Sequence, residues 1–249
     1  MAGVLGIDIG GTGIKAAPVD TDAGRMTSER VKLPTPHPAA PGPIAQVIRQ
    51  LVDQFSWQGP IGITFPGVVS AGTIMTAANL DQSWIGVNAV TFLGDATGQP
   101  VTVLNDADAA GVAEMRFGAG RGESGTVLLL TLGTGIGSAL FYNGVLIPNT
   151  EFGHIEIHGK DAESRASERA REESQLSWHK WAERVDEYLD KMESLVWPEL
   201  IIIGGGISRK SDKFLPRLSL RARIVPAALQ NDAGIIGAAM AASAQGGQP

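Results

Sequence analysis

The sequence predicts an α/β protein built from two copies of one folding unit. The first copy opens at 4–19, where a β-branched segment carrying Asp8 breaks into Gly10-Gly11-Thr12-Gly13 and then resumes as an apolar segment. This pattern is typical of a strand, a turn and a second strand. The same order recurs at 128–147 around Gly133-Thr134-Gly135. Two such hairpins, roughly half a chain apart, indicate a duplicated unit.

Both turns have the composition of a phosphate-binding loop. Glycine lets backbone N–H groups approach an anion closely, and Thr12 and Lys15 add a hydroxyl and a cation. Thr131 precedes the second turn by two residues, as Asp8 precedes the first. The predicted phosphate-binding residues are the two turns and their flanks: Asp8, Gly10, Gly11, Thr12, Gly13, Lys15, Thr131, Gly133, Thr134 and Gly135.

Two other interpretations of the first turn are open. Residues 11–16 fit the dinucleotide fingerprint G-x-G-x-x-[GA], but that motif needs a helix at the turn, and Pro18 would fall in its first turns. An ordinary glycine hairpin with no ligand also fits. The second copy of the pattern favours the phosphate-binding interpretation over both.

Composition limits the classes of function. The chain has 249 residues, of which 43% are hydrophobic, a net charge of −6 and no cysteine. These values are typical of a soluble globular protein without disulfides or thiolate metal sites, and they show no overall bias toward nucleic acid. No apolar run approaches the roughly 18 residues of a membrane span, and no apolar leader precedes Val4. We therefore expect a cytoplasmic protein with neither nucleic acid nor a membrane as partner.

Several separated motifs resemble, in order and spacing, the sugar kinases of the repressor/ORF/kinase (ROK) family. They are Asp8-Ile9-Gly10-Gly11-Thr12, Asn105-Asp106, Leu132-Gly133-Thr134-Gly135, Glu151-Phe152-Gly153-His154 and Gly204-Gly205-Gly206. Segments 176–178, 213–216 and 225–231 are similar to those of the polyphosphate/ATP-dependent glucokinases within that family, including the glucomannokinase variant.

The resemblance implies a two-lobed, actin-like ATPase (ribonuclease H-like) fold of the hexokinase/actin/heat-shock ATPase superfamily. Residues 1–108, completed by a C-terminal helix at 231–249, would form a small lobe, and residues 109–230 a large one. The implied reaction moves a phosphoryl group from polyphosphate or ATP, with Mg²⁺, to the 6-hydroxyl of glucose and also of mannose. A homodimer is expected, and Asp8 would contact the Mg²⁺ indirectly.

Asp106 is the predicted general base. Asn105 and Asp106 follow the predicted strand 100–104 and precede an alanine-rich helix, so either residue could simply cap that helix. A carboxylate at a strand end is also placed to take a proton from a sugar hydroxyl during phosphoryl transfer. The resemblance assigns that role to Asp106.

Further contacts with the substrates are implied by the resemblance. Gly204, Gly205 and Gly206 would meet the adenosine of a nucleotide, since side chains there would block its approach. The predicted sugar ligands are Pro66, Gly67, Asn79, Asn105, Asp106, Glu151, His154 and Glu163, although Asn79 could equally be a turn asparagine. The cysteine-containing zinc loop of the wider family is missing, so no zinc is expected.

Two polar patterns remain open. His154, Glu156 and His158 alternate, which predicts one face of a strand, either solvated or binding a metal. The segment 209–223 carries six basic residues and one acid, and is either a polyanion track or a solvated helix face.

Three other functions compete with the proposed reaction. A kinase of the same family could use ATP strictly, on a hexose or an N-acetylhexosamine. A non-catalytic sugar sensor or repressor is a second alternative, and the three residues ahead of Val4 leave no room for a DNA-binding helix-turn-helix. An actin-like ATPase is the third, against which Asn105-Asp106 and Glu151-x-x-His154 argue.

Overall fold

The computed structural model describes residues 3–246, and it divides into two compact units. The first unit holds the described residues up to Ala113 together with those from Asp232 onward, and the second runs from Glu114 to Asn231. The first boundary between the units therefore falls between residues 113 and 114, inside a helix, whereas the boundary expected from the sequence is at 108.

The secondary structure alternates strands and helices along the chain. The strands are β1 (Val4–Ile9), β2 (Gly13–Asp20), β3 (Arg25–Met26), β4 (Val31–Pro34), β5 (Ile61–Phe65), β6 (Val69–Ser70), β7 (Thr73–Ile74), β8 (Val101–Asn105), β9 (Thr126–Leu132), β10 (Ile136–Tyr142), β11 (Val145–Ile147), β12 (Glu156–Ile157), β13 (Lys160–Asp161), β14 (Leu200–Gly204) and β15 (Arg223–Pro226). The helices are α1 (Pro41–Gln54), α2 (Ala89–Thr97), α3 (Asp106–Phe117), α4 (Glu163–Ala166), α5 (Glu168–Glu173), α6 (Trp178–Val196) and α7 (Ala233–Gly246).

The main sheets of the two units have matching strand orders. In the first unit the order is β3-β2-β1-β5-β8, with β4 also paired to β2, and in the second it is β11-β10-β9-β14-β15. In each sheet a hairpin (β1–β2 or β9–β10) continues into two parallel strands. Both predicted hairpins are confirmed. Because β2 is a strand, the dinucleotide interpretation of the first turn is excluded.

The two faces of the main sheet in the first unit are covered by different helices, α1 and α7. Ile44, Ile48 and Leu51 of α1 are buried in one core with the odd-numbered apolar residues of β1. Successive residues of a strand point to opposite faces, so even-numbered positions face the other side, where α7 packs. There a Cβ added to Gly62 would lie 1.8 Å from the carbonyl oxygen of Ala238. The small-residue C-terminal helix therefore packs directly on the sheet, as its composition predicts.

The second unit has an aromatic core. Trp181, Val185 and Tyr188 of α6 are fully buried together with Leu128 and Leu130 of β9. The large apolar residues of α6 recur at helical spacing along the sequence, and the face that they form is the core of this unit. No helix within residues 3–246 combines the length and the apolar character needed to cross a membrane.

Candidate active site

The first hairpin carries a charged group next to its turn. Asp8 and Lys15 are paired across β1 and β2, and Lys15 Nζ lies 2.9 Å from Asp8 Oδ2. Thr64 of the neighbouring parallel strand donates from Oγ1 to Asp8 Oδ1 at 2.9 Å. Gly11 and Thr12 are exposed at the turn. The hairpin therefore presents an open backbone beside a carboxylate held from two sides.

Parallel strands bring three predicted site segments to one edge of this sheet. β1, β5 and β8 run parallel, so their carboxyl ends meet at the same edge, the position at which open α/β sheets bind ligands. Those ends lead into the first turn, into Pro66-Gly67 and into Asp106. A Cβ on Gly67 would lie 2.3 Å from the carbonyl oxygen of Thr76, so a side chain cannot be accommodated there.

Asn79 lies in the loop next to the first turn. Asn79 is exposed, and its backbone carbonyl oxygen lies 3.8 Å from a Cβ placed on Gly11. The loop is thus adjacent to the first glycine turn in the same unit, and because Asn79 is exposed its side chain is accessible to a ligand.

Asn105 and Asp106 differ in burial and in their hydrogen bonds. Asn105 is buried and caps α3, because its Oδ1 accepts from the N–H groups of Ala107 and Asp108 at 2.8 and 3.0 Å. Its Nδ2 donates to the carbonyl oxygen of Gly67 at 3.1 Å and so joins the ends of β8 and β5. Asp106, only partly buried, begins α3 and accepts from the Ala107 N–H at 2.8 Å.

The second hairpin has the same turn but different neighbours. Its turn closes with a hydrogen bond from the Gly133 N–H to the Gly135 carbonyl at 3.0 Å, and Thr134 is exposed. Thr131 faces Gly137 on β10 and Gly204 on β14. Glu163 accepts from the Ile136 N–H through Oε2 at 3.1 Å. This residue, which the resemblance implies to be a sugar ligand, thus lies against the backbone at the end of the second glycine turn.

The glycine run after β14 lies beside the second hairpin. Gly205 has φ of +80°, a conformation that favours glycine, and a Cβ there would lie 2.8 Å from the Leu132 carbonyl oxygen. Gly206 opens a 3₁₀ helix, Gly206–Lys213. Because β9 and β14 are parallel, Gly204–Gly206 and the second turn share one edge of the sheet.

Glu151 and His154 form a second cluster of titratable groups in this unit. His154 Nδ1 lies 2.9 Å from Asp161 Oδ2, and His154 Nε2 lies 3.8 Å from Glu151 Oε2. The hydrogen bond to Asp161 raises the pKa of His154, with Glu163 and Glu151 adding to the effect. Burial raises the pKa of Glu151. Asp161, the partner that fixes the ring, was missed at the sequence level.

The predicted strand face carrying His154, Glu156 and His158 is wrong. His154 ends a 3₁₀ turn, β12 contains only Glu156 and Ile157, and His158 has φ of +52° in the turn that follows. The ring of His158 contacts Glu187 instead. Within residues 3–246 no group of three or more His, Cys, Asp or Glu side chains is arranged to hold a metal ion.

The basic run at 209–223 does not form one face of one helix. A 3₁₀ helix broken at Lys210, a short 3₁₀ turn at Leu215–Arg217 and β15 divide it. Arg221 stacks on Trp197 and Arg223 pairs with Glu123, whereas Lys210 and Lys213 approach Trp178. The solvated-helix interpretation is therefore wrong, and a track through all six residues is not supported by their contacts.

Solved structures with the same fold show the class of protein to which this chain is similar. The fold is that of the hexokinase and actin-like ATPases. The structure matches an inorganic polyphosphate/ATP-glucomannokinase from Arthrobacter sp. strain KM with a TM-score of 0.95 and 48% identity, covering 98% of this chain and 100% of that one. It matches a ROK family glucokinase from Streptomyces griseus, solved with glucose and AMPPNP, with a TM-score of 0.84 and 27% identity over 97% and 99% of the two chains.

The chain belongs to the ROK family, whose model matches residues 4–167. It is 55% identical over 241 residues to a polyphosphate glucokinase of Mycobacterium tuberculosis strain H37Rv, covering 96% of this chain and 91% of that protein. The similarity to these relatives thus extends over both units and is not confined to the glycine motifs.

Proposed function

We propose that this chain is a glucokinase that transfers a phosphoryl group from inorganic polyphosphate or ATP to the 6-hydroxyl of glucose. Identity of 55% to a polyphosphate glucokinase over 96% of the chain supports the reaction. The single structural observation that carries the proposal is the position of Asp106, partly exposed at the carboxyl edge of the sheet that also bears the first glycine hairpin.

Asp106 would act as the general base. Its Oδ1 accepts the Ala107 N–H at the start of α3, which fixes the carboxylate while the residue stays partly exposed. A carboxylate held in this way can accept the proton of the attacking hydroxyl. Asn105 would position it, because its own amide ties α3 to Gly67.

The glycine turns would hold the phosphates of the donor. In the first unit, backbone N–H groups around Gly11–Thr12 and the Lys15 ammonium would stabilise charge on the phosphate oxygens in the transition state. In the second unit, the N–H groups around Thr134 would likewise bind phosphate oxygens. The nucleotide of ATP would lie at Gly204–Gly206, as the resemblance to the ROK kinases implies. Glu151 and His154 would bind sugar hydroxyls, and a sugar lacking one of those hydroxyls would leave its protein partner without that hydrogen bond in the complex.

Asp8 fits an indirect contact to Mg²⁺. Mg²⁺ keeps several waters and uses one or two carboxylates together with substrate phosphates, so it needs no cluster of protein ligands. Each Asp8 oxygen already accepts one hydrogen bond, from Lys15 or Thr64, and retains a second acceptor site for a metal-bound water. When bound, Mg²⁺ neutralises charge on the donor phosphates. Phosphorylation of mannose, a homodimer and a cytoplasmic location stay predictions.

Replacing the base tests the mechanism. Asp106→Asn should lower kcat by about 10²–10⁴-fold with either donor, the range for loss of a general base. Asp95→Asn, at an exposed position of α2, is the matched control and should keep wild-type turnover. Thermal unfolding of both variants checks that the fold is kept. Near-wild-type turnover in a folded Asp106→Asn protein would refute the role of this residue.

A donor-by-sugar matrix tests the reaction itself. ATP and polyphosphate are each combined with glucose, mannose, fructose and N-acetylglucosamine, and product formation is measured. Glucose phosphorylation with both donors is the expected result. Turnover with ATP alone would replace the proposed function by a strictly ATP-dependent kinase, and a preference for N-acetylglucosamine in that case by an ATP-dependent N-acetylhexosamine kinase. A preference for N-acetylglucosamine with both donors would reject glucose as the substrate.

A further inference from the structure

Three cations of the second unit surround one indole ring. The guanidinium of Arg171 lies 4.2 Å from the centre of the Trp178 ring, and the ammonium groups of Lys213 and Lys210 lie 5.3 and 5.8 Å from it. We call Arg171, Trp178, Lys210 and Lys213 the basic–aromatic cluster. Its members come from α5, from α6 and from the segment after β14, so only the fold brings them together.

The cluster keeps a net positive charge. Glu168 lies 3.6 Å from Lys210 and Glu172 lies 3.6 Å from Arg171, so two carboxylates offset three cations. An aromatic ring attracts cations through its quadrupole without neutralising them. Arg171 is largely buried and also donates to the Leu176 carbonyl oxygen at 3.4 Å, so it supports the ring. Lys210 and Lys213 are more exposed and keep hydrogen-bonding capacity available to an anion.

The cluster is continuous with the second phosphate-binding turn. The Arg169 N–H at the start of α5 donates to the Gly133 carbonyl at 3.1 Å, so α5 begins at this turn and leads to Arg171. On the other side, Glu168, the partner of Lys210, lies 3.9 Å from a Cβ placed on Gly206. Both routes from the cluster end at glycine turns of the same sheet edge.

We propose that the basic–aromatic cluster binds the distal phosphates of a polyphosphate chain whose reactive end lies at the glycine turns. This inference rests on the proposed function and adds a substrate subsite to it. An extended polyanion needs separated cations along its length, which the cluster supplies next to the turn. A face of the Trp178 ring is already covered by Arg171, so the indole serves as a support for cations and not as a platform for a base.

Two double variants with equal charge change test the proposal. Lys210→Gln/Lys213→Gln removes two cations of the cluster, and Arg217→Gln/Arg223→Gln removes two exposed cations of the same sequence run outside it. KM and kcat are measured with long-chain polyphosphate, tripolyphosphate and ATP. The first variant should raise KM for long-chain polyphosphate about tenfold, because two charged contacts are lost, with ATP and tripolyphosphate within about twofold. The second should leave all three donors unchanged.

Several results would overturn the subsite. They are an unchanged KM for long-chain polyphosphate in Lys210→Gln/Lys213→Gln, an equal rise in the control variant, or an equal rise with ATP. Isothermal titration with long-chain polyphosphate gives a readout that is independent of turnover. Suppose that the wild-type protein does not phosphorylate glucose, and that the cluster variant binds long-chain polyphosphate ten times more weakly than wild type does. This pair of results would keep the subsite and reject the proposed function. Thermal unfolding of both variants shows whether the fold is intact.

Discussion

The two glycine hairpins have one backbone plan and different chemistry. Each turn follows a strand that pairs antiparallel with the next strand and parallel with a later one. At matching positions the first hairpin has Asp8, facing Lys15 and Thr64, and the second has Thr131, facing glycines on both sides. At this matching position the first hairpin thus carries an ion pair and the second an uncharged threonine, although the Glu163 carboxylate accepts from the Ile136 N–H just after the second turn.

This difference indicates how a duplicated unit acquires two roles. Glycine turns supply backbone N–H donors in both copies, which requires only the hairpin geometry. Under the proposed function, the Asp8–Lys15 pair of one copy would add a contact to a metal-bound water and a cation for the phosphates. In the other copy glycines face Thr131 on both neighbouring strands, and the glycine run that begins at Gly204 is where we propose that the nucleotide of ATP lies.

The largest expected effect distinguishes the two hairpins at these matching positions. Asp8→Asn should lower kcat by about 10²–10³-fold with ATP or polyphosphate, as loss of an electrostatic contact to the transition state does. Thr131→Val, the matched substitution in the second hairpin, should lower it by less than about tenfold, since only a single neutral hydrogen bond can be lost. Steady-state kinetics on both variants measure this. Equal losses would show that the two hairpins are chemically equivalent.

A smaller effect concerns how each sheet is covered. Gly62 on β5 and Ile202 on β14 occupy matching positions, because Thr64 and Gly204 pair with the matching residues of β1 and β9. Gly62→Ala should destabilise the fold by about 1–3 kcal/mol, because the added Cβ would meet the Ala238 carbonyl oxygen of α7. Urea unfolding measures the free energy of unfolding.

Gly42→Ala is the control for this substitution. Gly42 lies in the first turn of α1 with nothing within 4 Å of an added Cβ, so alanine there should be neutral or stabilising. If Gly62→Ala were as stable as Gly42→Ala, the close approach of α7 to the sheet would be wrong.

Local signals account for the parts of this structure that the sequence predicts. Both hairpins follow from glycine turns between β-branched or leucine-rich strands, and the core role of α6 follows from the helical spacing of Trp181, Val185 and Tyr188. The Asn105 cap is also local, since an asparagine directly before a helix is a common N-cap. In each case the deciding residues lie within one element or at its boundary.

Contacts between distant segments could not be predicted in this way. Glu163 reaches the Ile136 N–H across 27 residues, and the basic–aromatic cluster joins Arg171 to lysines from another segment. The alternation of His154, Glu156 and His158 suggested a strand face, but a left-handed residue at 158 breaks the strand after two residues. Periodicity over so short a segment does not determine the backbone.

The smallest expected effect compares the cations of the two units. Lys15 pairs with Asp8 in the first unit, whereas the second unit places His154 among Asp161, Glu151 and Glu163, so its charge depends on pH near neutrality. Asp161→Asn should lower the pKa of His154 toward its ordinary value of 6.5, because the hydrogen bond to Asp161 is the main cause of the raised pKa. NMR titration of the ring protons measures this, with exposed His179 as internal control.

The same pair makes stability depend on pH. Because the pKa of His154 is raised in the folded state, the stabilisation from the His154–Asp161 pair is present below pH 6.5 and is lost as the pH rises through the folded-state pKa. The melting temperatures of wild type and Asp161→Asn should therefore differ more below that pH than well above it, and a difference that grows with pH would contradict this assignment.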